Sequence, residues 1–216
     1  MILYDPETRR EWLSCRQSGI GGSDAACVVG LNKYKTNVQL WEEKTGLSTQ
    51  KDISNQSAVA FGVAAEPIIR DLFRVEHPEY DIAYHPYRMY AKDNYNWLYA
   101  TLDGELLPKD GSGKGILEIK TCTIQNSTQW EEWNNQLPQN YYVQVLHQLL
   151  ATGWDFVCLC AYLRYTSAGT PRKQIREYTV TRSDVLEDLE WLLEKEETFW
   201  QMVQAKEKPA LILPEI

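Results

Sequence analysis

Apolar and polar positions recur along this chain with two different periods, and the change from one to the other separates a helical beginning, a β-rich middle and a mixed end. A helix is expected over Glu7 to Arg16, followed by the loop Ser18-Gly19-Ile20-Gly21-Gly22. Ser23 has the side chain of an N-cap for a second helix, Asp24 to Val29, which Gly30 can close. Asn37 to Gly46 reads as a third short helix with a polar N-cap and a C-terminal glycine, and Ser48 to Gln56 as a polar loop. A longer apolar helix follows from Ser57 to Val75, and Pro67 inside it removes a hydrogen bond to the preceding turn, so a kink is expected.

From Tyr80 to Leu107 the pattern turns to short, Tyr-rich, β-favouring runs broken by Pro86 and by Lys92-Asp93-Asn94. The run Trp97 to Asp103 leads through the turn-rich Pro108 to Gly115 into Ile116-Leu117-Glu118-Ile119-Lys120, a hairpin signature. Tyr141 to Thr152 is a helix stopped by Gly153, Phe156 to Leu163 a buried strand and Gln174 to Val180 an alternating one. An amphipathic helix carrying Leu186, Leu189, Leu193, Trp200 and Val203 on one side closes the pattern. With no repeat or linker, the expected architecture is one α/β domain over 1–216: N-terminal helices 7–46, a core 57–163 holding a mixed central β-sheet flanked by helices on both faces, and a C-terminal hairpin and acidic helix 164–208.

Composition narrows the class. The chain has 216 residues, 44% hydrophobic and 24% charged, which excludes collagen-like, low-complexity and disordered types. No apolar run approaches the roughly 18 residues of a membrane span, and the N-terminal stretch from Met1 lacks a basic region followed by an apolar one, so a soluble, cytoplasmic protein is expected. The five cysteines, Cys15, Cys27, Cys122, Cys158 and Cys160, include no Cys-x-x-Cys pair and read as reduced core thiols. The net charge of −8 is concentrated: Asp184 to Glu197 holds seven acids against Lys195, a local −6 that leaves only −2 for the rest. Acidity confined to one segment does not exclude DNA as a substrate of the remainder.

The chemistry-bearing constellation is Asp103 with Glu118-Ile119-Lys120. Strand residues two apart share a face, so Glu118 and Lys120 point one way while the Ile119 side chain goes into the core and its carbonyl stays available. Asp103 opposite Glu118 gives two carboxylates, a carbonyl and an ammonium around one point. An oxygen-only set suits a hard cation, Mg²⁺ or Mn²⁺, and phosphoryl transfer is the chemistry it usually serves. Two carboxylates about 4 Å apart repel by roughly 4 kcal/mol at an effective dielectric near 20, which one lysine does not neutralise when a third acid is close. A solvent-facing Glu/Lys pair on a surface hairpin is the plainer explanation of the tripeptide taken alone.

Glu66 after Gly62, Asp103-Gly104, Leu117-Glu118-Ile119-Lys120-Thr121 and Tyr141 to Leu149 together resemble the restriction-endonuclease-like PD-(D/E)xK nuclease superfamily. Arg16-Gln17-Ser18-Gly19-Ile20-Gly21-Gly22-Ser23-Asp24-Ala25-Ala26 and Leu40 to Gly46 narrow the resemblance to the YqaJ-type viral recombinases, relatives of phage lambda exonuclease. The motifs run from Arg16 to Gln148 in the family's order. The resemblance implies a Mg²⁺-dependent 5′→3′ exonuclease on linear double-stranded DNA with 5′-phosphorylated ends, a hydrolase leaving 3′ single-stranded overhangs for recombination. It implies Asp103, Glu118 and the Ile119 carbonyl as metal ligands, with Glu66 a further candidate, two ions per site, and Mn²⁺ able to substitute. Lys120 is then expected to orient water and stabilise developing charge, and Gln144 to hold the nucleophile or scissile phosphate. Arg16 and Ser23 are expected to bind the terminal 5′-phosphate, with amides at the glycine-rich turn assisting. A homotrimer, a single-strand annealing protein as partner, and a phage or prophage origin in a bacterial host come from the same resemblance.

Other residues have plainer readings. His147 is expected to be a hydrogen-bonded, half-buried residue, Tyr141 to pack in the core or line a nucleic-acid channel, and Trp130 and Trp133 to pack rather than stack on bases or cover the site. Arg164, Arg172, Lys173 and Arg176 form a basic hairpin that is either solvated or touches a DNA backbone. The acidic helix reads most simply as an exposed face. Rival functions are an endonuclease of the same superfamily, its iron–sulfur branch, which lacks a cysteine triplet here, and a non-catalytic DNA-end or protein-binding module.

Overall fold

In the computed structural model residues 2–50 and 52–213 are described; Met1 and Lys51, which belong to the N-terminal stretch and the polar loop read above, lie outside them. The elements are β1 (Ile2–Tyr4), α1 (Arg9–Cys15), β2 (Ile20–Gly21), α2 (Gly22–Val28), α3 (Asn37–Lys44), α4 (Ser57–Glu76), β3 (Tyr80–Ala83), β4 (Met89–Ala91), β5 (Leu98–Ala100), β6 (Gly104–Pro108), β7 (Gly115–Thr123), α5 (Ser127–Glu131), α6 (Gln139–Thr152), β8 (Phe156–Ser167), β9 (Thr170–Thr181) and α7 (Leu186–Ala205).

The strands form two sheets where the sequence pattern suggested one: a four-stranded sheet in the order β1-β4-β5-β2 and a five-stranded sheet in the order β3-β6-β7-β8-β9. The larger sheet is mixed, since β7 and β8 run parallel and its other neighbours antiparallel. Trp97 to Asp103 is therefore not one arm of a hairpin. Leu98–Ala100 pairs inside the small sheet, and the strand facing β7 starts at Gly104, opposite Leu117. Both stretches are short and apolar, so local pattern carries no mark of the crossing between sheets.

Alternation along β7 divides its side chains between two cores. Leu117 and Ile119 join Cys158, Cys160, Leu106 and the α4 residues Ile69 and Phe73. Ile116 joins Val157, Leu159, Ala161 and Leu163 with Val145, Leu146 and Leu149 of α6 on the opposite face. Helix α4 carries Pro67 without ending there, and Val63, whose carbonyl loses its usual donor, is exposed. Helix α6 ends at Gly153 in the left-handed region, φ 71°. The β8–β9 hairpin turns through Ala168 and Gly169, both at positive φ.

At the N-terminal side Gly19 is required by close approach: a Cβ there would stand 2.0 Å from the Trp97 carbonyl oxygen. The second helix begins at Gly22, and Gly21, not Ser23, is its N-cap. Helix α7 buries Leu189, Leu192, Glu196, Phe199 and Val203, a stripe turned away from the expected one, and leaves Leu186 exposed. Trp200 of α7 stacks on Trp97, ring centres 6.2 Å apart and planes 13° apart. All five cysteines are free, and burial pushes Cys158 and Cys160 up to about 12. No described helix is long and apolar enough to cross a membrane.

Candidate active site

The site forms where β6 and β7 part. Their last pair is Gly104 with Leu117, so β7 continues past its neighbour. Asp103, one residue before β6, uses its side chain in place of the missing ladder: Oδ2 accepts the Ile119 N–H at 2.8 Å. The N–H and C=O of one strand residue leave on the same side, which directs the Ile119 carbonyl toward Asp103 as well. Gly104 lets this corner close, since a Cβ there would meet Leu117 Cβ at 3.2 Å.

Glu118 faces α6. It is 3% exposed and held by three donors: Lys120 Nζ at 2.5 Å and Gln144 Nε2 at 2.6 Å on Oε1, and Gln148 Nε2 at 2.5 Å on Oε2. Gln144 and Gln148 are one helical turn apart, so both reach the same carboxylate. Lys120 Nζ also lies 5.3 Å from the centre of the Tyr141 ring, whose hydroxyl pairs with Cys122 Sγ at 3.4 Å.

Glu66 comes from α4 on the other face of the sheet and pairs with Arg70, one turn along the same helix. Arg70 is buried, donates from Nε to the Asp103 carbonyl at 2.5 Å, and stacks on Tyr84 with its guanidinium carbon 3.5 Å from the ring centre. Arg70 thus ties α4 to the residue that begins β6. Spacing could have found it as the i+4 partner of Glu66, and Gln148 as the i+4 partner of Gln144.

Electrostatics couple the groups. Burial, then the Glu118 and Glu66 charges, push Asp103 well above the usual carboxylate range, against Lys120 and the Ile119 N–H. Burial also raises Glu66; Arg70 opposes this and Glu118 adds to it. Burial alone would lower Lys120, but Glu118 and Asp103 outweigh it and the ammonium form is favoured. Among the described residues no three His, Cys, Asp or Glu side chains form a group that could hold a metal ion. Glu66 is engaged by Arg70 and acts on Asp103 and Glu118 through its charge.

The other expected residues form a second cluster. Arg16 Nη2 donates to Ser23 Oγ at 3.1 Å, and its guanidinium lies 4.6 Å from the Trp12 ring centre. Asp24 and Lys44 make a buried ion pair at 3.0 Å; Lys44 Nζ also donates to the Arg16 carbonyl at 2.9 Å. Burial would raise Asp24, yet Lys44 and Arg16 bring it down to about 2. Asp24 Oδ2 accepts the Gly21 N–H at 3.2 Å, so that amide is not free for an anion as the glycine-rich turn suggested. Gly22 joins the clusters: a Cβ on it would stand 3.3 Å from Gln144 Cγ.

His147 is fully buried rather than half-buried, with Nδ1 2.7 Å from Glu196 Oε1 and Nε2 2.8 Å from the Tyr99 carbonyl. Trp133 is buried against Tyr141 and Tyr178, and Trp130 packs edge-on to Tyr165. Of the basic hairpin, Arg176 donates to the Trp133 carbonyl at 2.6 Å, and Arg164 bonds Thr123 Oγ1 at 2.8 Å and lies over Phe61.

The chain is similar in fold and in sequence to known proteins. An alkaline exonuclease from Laribacter hongkongensis superposes with a TM-score of 0.67 over 91% of this chain and 93% of its own, at 18% identity. Its complex with dAMP superposes equally well at 19% identity. The likeness gives the fold, a restriction-endonuclease-like α/β core. Protein YqaJ of Bacillus subtilis (strain 168) is 35% identical over 154 residues, 69% of this chain and 44% of that protein. Protein D345L of African swine fever virus (strain Badajoz 1971 Vero-adapted) is 35% identical over 71 residues, 32% of this chain and 20% of that protein. The chain thus spans less than half the length of these curated relatives. The model of the YqaJ-like viral recombinase domain matches residues 11–155, about two thirds of the sequence and every motif discussed, and the chain belongs to that family.

Proposed function

We propose that this protein is a divalent-metal-dependent 5′→3′ exonuclease acting on linear double-stranded DNA with 5′-phosphorylated ends. The observation that carries the reading is the buried Glu118 carboxylate, gripped by Lys120, Gln144 and Gln148 beside an Asp103 forced toward its neutral form. A binding module has no use for that electrostatic conflict, whereas a site that takes up positive charge does. The donor set fits a hard cation: Asp103, Glu118 and the Ile119 carbonyl offer only oxygen, with Glu66 as a further candidate. Gln148 Oε1, buried with no donor among the described residues, is one more oxygen within the same cluster. Mg²⁺, or Mn²⁺ in its place, two ions per site in the full reading, would polarise a phosphate oxygen and lower the pKa of a bound water.

The chain's own residues do the rest. Lys120, kept cationic by Glu118 and Asp103, orients the attacking water and stabilises charge developing on the phosphate. Gln144 is placed to contact the nucleophile or scissile phosphate while it holds Glu118. Arg16 and Ser23 receive the terminal 5′-phosphate; Arg16 is backed by Trp12 and its main chain is fixed by Lys44 and by Tyr99, whose hydroxyl donates to the Arg16 carbonyl at 2.9 Å. A 3′ overhang handed to a single-strand annealing protein, a homotrimeric assembly, and action in the cytoplasm of a phage-bearing bacterium complete the proposal.

The test is digestion of linear duplex carrying a 5′-phosphate on one strand only, beside circular duplex and a Lys120→Ala control. Loss of the phosphorylated strand alone, absent on circles and in the control, is the expected result. Cutting of circles assigns an endonuclease to the same residues, and no cutting with either metal leaves a binding module.

A further inference from the structure

The two glutamines on Glu118 are not equivalent. Oε1 receives both Lys120 Nζ and Gln144 Nε2, which fill its two lone-pair positions, while Oε2 receives only Gln148 Nε2 among the described residues and keeps one position open. Removing Gln144 leaves Lys120 on its oxygen. Removing Gln148 leaves Oε2 with no donor among the described residues, so the carboxylate is anchored at Oε1 alone.

We propose that Gln148 is the positioning residue that orients Glu118 and keeps an Oε2 lone pair open for a divalent cation, so that Gln148 rather than Gln144 sets the cation affinity of the site. The inference deepens, and rests on, the metal-dependent reading given above. Three features of Gln148 support it. Its side chain is 1% exposed, yet it is a carboxamide with one end unpaired, a costly choice at a position that an apolar side chain could simply fill. Its orientation is chemically determined, because turning the amide over would set Oε1 against the Glu118 carboxylate. Its root is also fixed: the Gln148 carbonyl accepts Thr152 Oγ1 at 2.8 Å, and the preceding residue, His147, is held at both ring nitrogens. A rigid root and a single donor direction make a stop against which Glu118 is aligned.

The experiment is cation binding by the purified chain without DNA, read by Mn²⁺ paramagnetic resonance and titration calorimetry on wild type, Gln148→Met, Gln148→Asn and Gln144→Met. Methionine keeps the volume of Gln148, and asparagine keeps the amide but falls short of Oε2, so one variant survives if the other does not fold. The expected result is a fall in Mn²⁺ affinity of about 10-fold or more in both Gln148 variants and a smaller fall in Gln144→Met. The Mg²⁺ concentration for half-maximal digestion should rise in parallel, while the ratio of rates on 5′-phosphate and 5′-hydroxyl ends stays at the wild-type value. Wild-type Mn²⁺ affinity in the Gln148 variants, with or without a lower melting temperature, would reduce Gln148 to packing and overturn the positioning role alone. A larger loss from Gln144→Met would overturn it too. A wild-type chain that binds no Mn²⁺ would overturn both this inference and the metal-dependent reading.

Discussion

Helix α6 holds two buried glutamates from adjacent positions, and it treats them differently. Gln148 and Gln144 present neutral amides to Glu118, which shares its surroundings with Asp103 and Glu66 and with the cations Lys120 and Arg70, the latter paired with Glu66. His147, the residue before Gln148, presents an imidazole to Glu196 of α7, with the Asp24 charge a weaker influence on it. Nδ1 faces Glu196 Oε1 and Nε2 faces the Tyr99 carbonyl, and against the cost of burial these neighbours favour the imidazolium form of the ring. One glutamate accepts three donors beside two further acids; the other meets a single imidazole at Oε1, leaves Oε2 buried without a donor among the described residues, and joins α7, α6 and β5. Charge left uncompensated in a well-built corner, rather than burial alone, separates a site from a brace.

Substitution at Glu118 tests the sharper half of this contrast and should have the largest effect. Glu118→Gln is expected to lower strand digestion by about 10³-fold, at the upper end of what losing one electrostatic contact costs. A folded variant that digests DNA at the wild-type rate would refute the assignment. Glu196→Gln should do the reverse. Breaking a buried pair by removing one partner costs about 3–5 kcal/mol, so urea unfolding should shift strongly, while digestion per folded molecule at low temperature stays near wild type.

The pH dependence of stability follows from the same pair. Burial would lower His147, but Glu196 and the Tyr99 carbonyl raise it net above 6.5; His77 is raised in the same sense by Glu79 and Glu177 against a smaller burial. A raised histidine contributes stability that is complete below its unfolded value and is lost as pH climbs through its folded value. Melting temperature should therefore fall as pH rises above about 6.5, and the slope should flatten in Glu196→Gln. An unchanged slope in that variant would show that His147 does not titrate in this range. The smallest effect is expected at Thr36, the side-chain cap of α3: Thr36→Ala should cost about 1 kcal/mol in urea unfolding and leave digestion near wild type, since the cap lies at the end of α3 away from Lys44, which holds the Arg16 carbonyl.

The same contrast explains what could be read from the sequence. Glu118 and Lys120 were legible from strand alternation, whereas Asp103 was placed by an expected hairpin and Gln144 by the family's motif; the structure brings Asp103 to the Ile119 amide and Lys120 and Gln144 to Glu118. Glu196 hid its helix: a charged residue in the middle of the buried stripe broke the apolar pattern, and the expected face of α7 came out rotated. Ser23 looked like a cap because hydroxyls often are, but Gly21 and the buried Asp24 carboxylate do that work and leave the hydroxyl to Arg16. The hairpin ending at Asp103 was half legible. Turn residues announced β7, whereas the passage of Thr101 and Leu102 from one sheet to the next depends on pairings more than ten residues distant, to which local pattern is blind.

The parallel stack of Trp97 and Trp200 gives this architecture an optical signature. Two indoles in that arrangement couple their electronic transitions, and one of them belongs to α7 while the other lies beside β5. Near-ultraviolet circular dichroism of the pair therefore reports the seating of α7 on the body of the protein. Changes confined to Glu118 and its donors leave that signal in place, so loss of chemistry and loss of assembly can be told apart in the same cuvette.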